Sequence, residues 1–217
     1  MLDHLARKAI DPPLALLGRR LADIGLTANA ISVCGFLVGM SAAPLIAFGA
    51  TEPALIAIIF NRIADGLDGA VARASTPTET GAFLDIVLDF IFYSAVIFAF
   101  ALYSEANALA AAFLIFAFIG TGTTFLAFAI FAARYDLVTN HRGRKSIYYL
   151  GGLTEGTETV TCLILLCLFP AQFPIIAFGF GLLCWITTGT RIIDGYHQLR
   201  RIDAANLRSP QGADRQG

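Results

Sequence analysis

The sequence predicts an all-α integral membrane protein in which six transmembrane helices follow an N-terminal amphipathic helix at the membrane surface. The chain has 217 residues, of which 57% are hydrophobic and only 14% are charged. Soluble domains carry roughly a quarter charged residues, so this composition and its long apolar runs indicate that the bilayer is the solvent. The net charge of -1 gives no indication of a nucleic-acid partner.

The N-terminal segment, residues 1–26, has the pattern of a helix that lies on a membrane. Apolar residues such as Leu2 and Leu5 recur at helical spacing, and charged residues take the other face. A basic amphipathic helix of this kind is typical of binding to an anionic inner leaflet. Pro12 and Pro13 are expected to end its first part.

Six apolar runs follow, each long enough for the about 20 helical residues that cross a bilayer core of about 30 Å. The predicted spans are residues 28–49, 52–73, 82–104, 107–133, 148–169 and 173–196. Thr27 and Asn29 provide capping side chains at the start of the first span. We therefore assign residues 27–199 to a six-span domain and the polar residues 200–217 to a disordered cytoplasmic tail.

The distribution of basic residues predicts the orientation. Three connections are very short (50–51, 105–106 and 170–172), and two are longer and polar (74–81 and 134–147). Of the fifteen Lys and Arg residues, none lies in a short connection, and thirteen lie in the N-terminal segment, the longer connections with their flanks, or the C-terminal tail. The other two, Arg62 and Arg191, lie in the interior of spans. The positive-inside rule then places both termini in the cytoplasm and predicts a multi-pass protein of the inner membrane.

Four aspartates lie inside the second and third predicted spans. A charged side chain within a membrane helix costs about 3 kcal/mol or more and is a functional candidate by default. Asp65 and Asp68 are three residues apart and Asp85 and Asp89 are four apart, so each pair shares one helix face. At about 1.5 Å per residue, all four lie about 6–12 Å below the cytoplasmic helix ends. The pattern predicts a shallow pocket that opens to the cytoplasm.

An all-oxygen cluster suits Mg²⁺, Mn²⁺ or Ca²⁺ rather than zinc or iron. Two such ions, Mg²⁺ or Mn²⁺, can clamp a pyrophosphate between them and stabilise the attacking and leaving oxygens. The structural alternative is a charge network that only fixes helix register. It is disfavoured because Arg62 is the only cation in the interior of the same two spans.

The motif around these aspartates resembles that of the CDP-alcohol phosphotransferases, D-x2-D-G-x2-A-R followed by G-x3-D-x3-D. Its fixed positions match Asp65, Asp68, Gly69, Ala72, Arg73, Gly81, Asp85 and Asp89. The resemblance implies transfer of a substituted phosphate group from a CDP-alcohol, usually CDP-diacylglycerol, to a second alcohol with release of CMP. It also implies a homodimer.

The resemblance further implies a role for each motif residue. Asp65, Asp68 and Asp85 would be metal ligands. Asp89 would be the base that deprotonates the acceptor hydroxyl, and it would also be a metal ligand. The nucleotide site would be lined by Gly69, Ala72, Arg73 and Gly81.

The acceptor is less well determined than the donor. Arg191 in the last span, with Arg134 and Arg142 near the loop before the fifth span, favours an anionic acceptor, and glycerol 3-phosphate is our first candidate. Inositol phosphate, serine and phosphatidylglycerol are alternatives, and the loop arginines also fit ordinary positive-inside charge. Glu155 and Glu158 either pair with Arg191 or meet the ammonium group of an amino-alcohol.

Two functions from other classes fit the composition. A divalent-cation transporter would use the aspartates as a coordination site, but transporters tend to show internal repeats and sites near the bilayer midplane. No repeat is evident here, and the predicted site is shallow. A membrane scaffold without catalytic activity is disfavoured by the complete motif. CMP release that depends on Mg²⁺ or Mn²⁺ separates both from the enzyme.

Overall fold

The computed structural model describes residues 3–135, 138–139, 146–147 and 152–208. These residues form eight α-helices and one antiparallel pair of two-residue strands. The elements are α1 (Asp3–Asp23), α2 (Ala28–Met40), α3 (Ala42–Ala47), α4 (Thr51–Ala74), α5 (Glu79–Tyr103), α6 (Ala108–Arg134), β1 (Val138–Thr139), β2 (Ser146–Ile147), α7 (Gly156–Leu168) and α8 (Phe173–Arg208). Short 3-10 turns precede α6 and α8. The prediction of an all-α architecture is confirmed apart from this small hairpin.

The N-terminal segment is one continuous helix, so the expected break at Pro12 and Pro13 is wrong. Both prolines lie inside α1. A proline removes one backbone hydrogen bond, but packing against a neighbouring helix overrides such a local preference. Here the neighbour is α4: a Cβ added to Gly18 would lie 2.7 Å from the Cβ of Ala70. The close approach holds α1 along the helix that carries the first two aspartates.

The first predicted span consists of two helices. Thr27 caps α2 as expected, because its Oγ1 accepts a hydrogen bond from the amide of Ala30 at 3.3 Å. The helix is interrupted at Ser41, whose hydroxyl donates to the carbonyl of Val38 at 2.6 Å, and α3 continues the segment. Gly49, with a φ of 81°, follows α3 in the left-handed region that favours glycine.

Four helical stretches of the described chain are long and apolar enough to cross a bilayer. They are Ala28–Ala47, Glu79–Tyr103, Glu105–Arg134 and Pro170–Ala205. The prediction of six spans is therefore confirmed for four of them. α4 has 24 residues but carries the charges of Glu52, Arg62, Asp65, Asp68 and Arg73.

The fifth predicted span, residues 148–169, differs from the observed structure. The helix in its described part begins at Gly156 and has 13 residues, and residues 152–155 are not helical. Such a helix is about 20 Å long, which is less than the thickness of a hydrocarbon core. The apolar run alone did not reveal that Glu155 caps the helix instead of lying within it.

The last helix is longer than predicted. α8 has 36 residues and continues to Arg208, so residues 200–208 of the expected disordered tail are helical. This part of the chain is polar but rich in Arg and Ala, which are good helix formers. Residues 209–217 lie outside the described part of the chain.

The helices pack around an aromatic and aliphatic core that is shared by α3 to α8. Phe100 of α5 stacks on Phe173 of α8, with ring centroids 4.7 Å apart. Large apolar side chains also point outward: Ile56, Leu109 and Ile175 are 70%, 74% and 76% exposed. A helix bundle that is apolar both inside and outside is suited to lipid. α4 packs against α1, α2 and α7, and this arrangement places the aspartates within the bundle.

Candidate metal and active site

The site is formed where α4 ends and α5 begins. A short connection joins the two helices, and Thr78 caps α5 by accepting a hydrogen bond from the amide of Gly81 at 3.1 Å. The pocket between the helices is lined by Ser32, Phe36, Asn61, Arg62, Asp65, Asp68, Asp85, Leu88 and Asp89. All four aspartates thus line one pocket, as their spacing indicated.

Three of the aspartates form a compact acidic triad. Asp65, Asp68 and Asp85 each offer a carboxylate oxygen, and these oxygens lie within 4.8 Å of one another. The hydroxyl of Ser32, on α2, donates a short hydrogen bond to Oδ2 of Asp68. Carboxylates so close together repel each other unless a cation lies between them. The all-oxygen donor set therefore fits a hard divalent ion such as Mg²⁺ or Mn²⁺.

Asp89 has different partners from the triad. Nη2 of Arg62 donates to its Oδ1 at 2.7 Å, and the hydroxyl of Tyr93 donates to its Oδ2 at 2.9 Å. Nη1 of Arg62 also donates to the Tyr93 oxygen at 2.7 Å and lies 3.6 Å from Oδ2 of Asp65. The structure thus distinguishes three clustered carboxylates from a fourth that is held by a cation and a phenol.

The sequence analysis noted Arg62 only as a possible counter-charge and did not identify Tyr93 or Ser32. A signal existed for two of them: Arg62 precedes Asp65 by three residues, and Tyr93 follows Asp89 by four. Such spacings place side chains on one helix face. Ser32 lies on another helix, and nothing in its local sequence indicates a contact with Asp68.

The residues expected at the nucleotide site lie at the end of α4 and the start of α5. The exposed Arg73 folds back along its helix, so Nη1 is 3.1 Å from the position of a Cβ on Gly69. A Cβ on Gly81 would lie 3.0 Å from Oδ1 of Asn29. Ala72 is half-buried beside Arg73. At both glycines, the missing Cβ allows a side chain of the same chain to lie close to the backbone.

Arg191, the tentative acceptor residue, is buried in α8 with 8% of its surface exposed. Its Nη1 donates to the carbonyl of Thr121 at 3.1 Å, and its guanidinium lies 5.9 Å from the ring centre of Phe125. A Cβ on Gly152 would lie 3.3 Å from its Nη2. Among the described residues, no group accepts a hydrogen bond from its buried Nε.

The ion pair of Arg191 with Glu155 or Glu158 is not found among the described residues. The two glutamates instead form a capping box at the start of α7, where the amide of Glu155 donates to Oε2 of Glu158 at 3.1 Å. The spacing of three residues is that of a capping box, a reading that the sequence analysis missed. Arg134 is exposed at the end of α6, and Arg142 lies outside the described residues.

A sequence model of the CDP-alcohol phosphatidyltransferase family matches residues 25–191 of the chain. The chain belongs to this family. The matched range contains both halves of the aspartate motif, and with them the three aspartates of the triad. Members of the family are metal-dependent transferases of phospholipid biosynthesis, and the acidic triad of this chain has the donor set for such a metal.

Similar proteins come from bacteria and archaea. The chain is 49% identical over 203 residues to the inner membrane protein YnjF of Escherichia coli, covering 93% of this chain and 98% of that protein. It is 32% identical over 97 residues to an archaetidylinositol phosphate synthase of Pyrococcus horikoshii, covering 44% of this chain and 52% of that protein.

The fold is also that of a solved enzyme. A phosphatidylinositol phosphate synthase of Mycobacterium tuberculosis, crystallised with CDP-DAG bound, superposes with a TM-score of 0.60 at 21% identity, covering 94% of this chain and 98% of that one. A second structure of that enzyme, in complex with manganese and citrate, gives the same TM-score at 20% identity, covering 94% and 93%.

Proposed function

We propose that this protein transfers the phosphatidyl group of CDP-diacylglycerol to a hydroxyl of a phosphorylated polyol and releases CMP. The observation that carries the proposal is the pocket in which the acidic triad lies beside a separately held fourth carboxylate. The family of the chain and the CDP-diacylglycerol bound by its structural neighbour support the donor.

Each aspartate has a part in this proposal. Asp65, Asp68 and Asp85 would hold two divalent ions, which when bound would neutralise the pyrophosphate of the donor and the leaving phosphate. Asp89 would accept the proton of the acceptor hydroxyl. The hydroxyl oxygen forms a bond to the phosphorus of the phosphatidyl group, and the bond from that phosphorus to the CMP oxygen breaks. Gly69, Ala72, Arg73 and Gly81 would contact the nucleotide.

The acceptor that we propose is inositol phosphate. Two similar proteins named for an acceptor are synthases of inositol phosphate lipids, and this favours inositol phosphate over glycerol 3-phosphate, our expectation from the sequence. The buried guanidinium of Arg191, with Nε directed to no described acceptor, has the geometry for a phosphate group. Arg134 and Arg142 are secondary candidates for the same role.

The site would face the cytoplasm, where soluble phosphorylated acceptors are available. We propose that α4 and α7 complete six spans, that both termini are cytoplasmic, and that α1 lies at the membrane surface. A homodimer is part of the same proposal. The basic residues of the N-terminal segment, the polar loops and the C-terminal region support this orientation.

The experiment is an acceptor screen with the purified protein in lipid nanodiscs. CDP-diacylglycerol and Mn²⁺ or Mg²⁺ are supplied with inositol phosphate, glycerol 3-phosphate, inositol, serine or phosphatidylglycerol. CMP release and lipid products are measured, the products by mass spectrometry. We expect metal-dependent CMP release and a phosphatidylinositol phosphate product. A preference for serine, inositol or phosphatidylglycerol would contradict the acceptor, and no CMP release with any acceptor would contradict the function.

A further inference from the structure

Two threonines join the chain before α7 to α8, one helical turn before Arg191. Thr187 precedes Arg191 by four residues, so both side chains lie on one face of α8. Thr187 is fully buried, and its hydroxyl accepts two hydrogen bonds from Thr154, one from the amide at 3.1 Å and one from the hydroxyl at 3.0 Å. These bonds use both lone pairs of the Thr187 oxygen. The face of α8 that carries Arg191 therefore holds the backbone that precedes α7.

The segment that is held in this way, residues 152–155, is called the α7 turn below. The amide of Gly152 donates to Oε1 of Glu155 at 3.4 Å, and Glu155 begins the capping box of α7. Gly152 lies directly against α8. A Cβ at this position would overlap the methyl group of Thr187 and would lie 3.3 Å from Nη2 of Arg191. The missing Cβ of Gly152 thus allows the α7 turn to pack against the guanidinium.

The guanidinium of Arg191 has one direction left for a ligand. Its Nη1 donates to the carbonyl of Thr121, Nη2 lies beside Gly152, and no described group accepts a hydrogen bond from Nε. A buried donor without a partner is costly, and a phosphate oxygen is a strong acceptor for it. We propose that Thr154 and Thr187 are positioning residues for the acceptor, which hold the α7 turn against Arg191 and so fix the direction of its guanidinium. The inference rests on the proposed function, in which Arg191 binds the acceptor phosphate.

Loss of the Thr187 hydroxyl should therefore affect the acceptor and not the donor. The described residues that line the aspartate pocket belong to α2, α4 and α5, and none belongs to the α7 turn. Release of the turn would let the guanidinium leave its direction, while metal and donor are bound as before. Side chains that only pack α7 against α8 would instead lower stability without any difference between acceptor and donor.

The test uses Thr187→Val and Thr187→Ser in the full chain in lipid nanodiscs. Valine keeps the shape of threonine without its hydroxyl, whereas serine keeps the hydroxyl. The Kd of inositol phosphate is measured by calorimetry without donor or metal, and kcat and both KM values are measured separately. For Thr187→Val we expect the Kd and KM of inositol phosphate to rise about tenfold, with kcat and the KM for CDP-diacylglycerol within about twofold of wild type. Thr187→Ser should keep the wild-type Kd.

Amide hydrogen exchange reports the position of the turn independently of activity. The Thr154 amide loses its acceptor in Thr187→Val, so the peptide that contains the α7 turn should exchange faster, and Thr187→Ser should restore slow exchange. Gly152→Ala is a second route to the same effect, because its Cβ displaces the turn while both threonines stay, and the Kd should rise again. The matched control is Thr161→Val, an exposed threonine of α7 whose hydroxyl donates to the Thr157 carbonyl of its own helix. It should change neither exchange nor Kd.

Four outcomes would overturn the inference: unchanged exchange of the turn in Thr187→Val, faster exchange with an unchanged Kd, an equal rise of both KM values, or a wild type that binds no inositol phosphate. Failure of the proposed function has a different signature. The wild type would then bind inositol phosphate but release no CMP with any acceptor, and the Kd and exchange measurements would still test the role of the two threonines.

Discussion

Each aspartate of the pocket has its own set of neighbours, and these differences carry the assignment of roles. Asp68 is buried and accepts a hydrogen bond from Ser32, whereas Asp85 is exposed. Asp89 is fixed by two donors that do not touch Asp68 or Asp85. The roles that we propose for the four aspartates therefore differ, and substitutions at each should give different kinetic defects.

The triad gives the first prediction at this scale. Asp85→Asn keeps the size of the side chain but removes the charge that holds a divalent ion, so we expect CMP release to fall at least about 10³-fold while the protein still inserts and folds. CMP release is measured across a range of Mn²⁺ concentrations. Asp203→Asn, an exposed aspartate near the end of α8, is the control and should behave as the wild type. Near-normal turnover in Asp85→Asn would contradict the metal assignment.

Arg191 gives the second prediction at the residue scale. Arg191→Ala should raise the KM for the phosphorylated acceptor by about 10- to 100-fold, since a hydrogen bond to a charged group contributes about 1.5–3 kcal/mol. The KM for CDP-diacylglycerol should stay the same, because in the proposed site the donor pyrophosphate is held at the aspartate pocket and not at Arg191. Arg201→Ala, an exposed arginine of the same helix, is the control. An equal rise in both KM values would exclude a specific role in acceptor binding.

At the scale of elements, small residues determine how closely α1 and α2 approach α4. A Cβ on Gly35 would lie 2.4 Å from the Cβ of Ala64, and one on Gly39 would lie 2.7 Å from the Cβ of Asn61. These contacts fix the register of α4 against α2, and with it the position of Ser32 opposite Asp68. The aspartates of α4 are thus positioned by glycines of the neighbouring helix α2.

The third prediction tests this packing on the other side of α4. A Cβ on Gly18 would lie 2.8 Å from the carbonyl carbon of Ala70 and 3.0 Å from the amide of Val71, so Gly18→Ala must move backbone. We expect the free energy of unfolding to fall by about 1–3 kcal/mol, followed as the melting temperature in detergent.

Gly189→Ala is the matched control for that change. It is also a helical glycine, but nothing lies within 4 Å of its Cβ position. Alanine has the higher helix propensity, so this variant should be stabilised by up to about 1 kcal/mol. If Gly18→Ala were as stable as Gly189→Ala, α1 would not be packed tightly on α4.

Much of the arrangement within each helix could be predicted from the sequence, because helix periodicity indicates which residues share a face. The spacing of the aspartates gave the two acidic pairs and their common pocket, and Thr27 gave the start of α2. Contacts between helices have no such local signal, so Ser32 and the continuity of α1 through Pro12 did not follow. Glu155 and Glu158 were misread because capping and ion pairing use the same residue types.

For the whole molecule, the fourth prediction concerns orientation. Reporters fused after residue 76 or at the C-terminus should be located in the cytoplasm, and a reporter at Glu105 should be located outside, because basic residues flank the former sites and not the latter. Each reporter is a single cysteine, and its accessibility to a membrane-impermeant reagent is measured. An external C-terminus would place the aspartate pocket on the wrong side for soluble acceptors.

The short α7 has a consequence for access to Arg191. In the proposed six-span arrangement, the 13 residues of α7 cover about 20 Å of a hydrocarbon core of about 30 Å, so residues 152–155 would lie at membrane depth. The amide of Thr154 donates to the hydroxyl of Thr187, and non-helical backbone at this depth occurs where protein or water covers it. We expect a water-filled notch in the hydrocarbon core of the bilayer beside Arg191. Water in such a notch would raise the dielectric constant around the guanidinium. A hydrophilic anion could then diffuse to Arg191 without entering the hydrocarbon core.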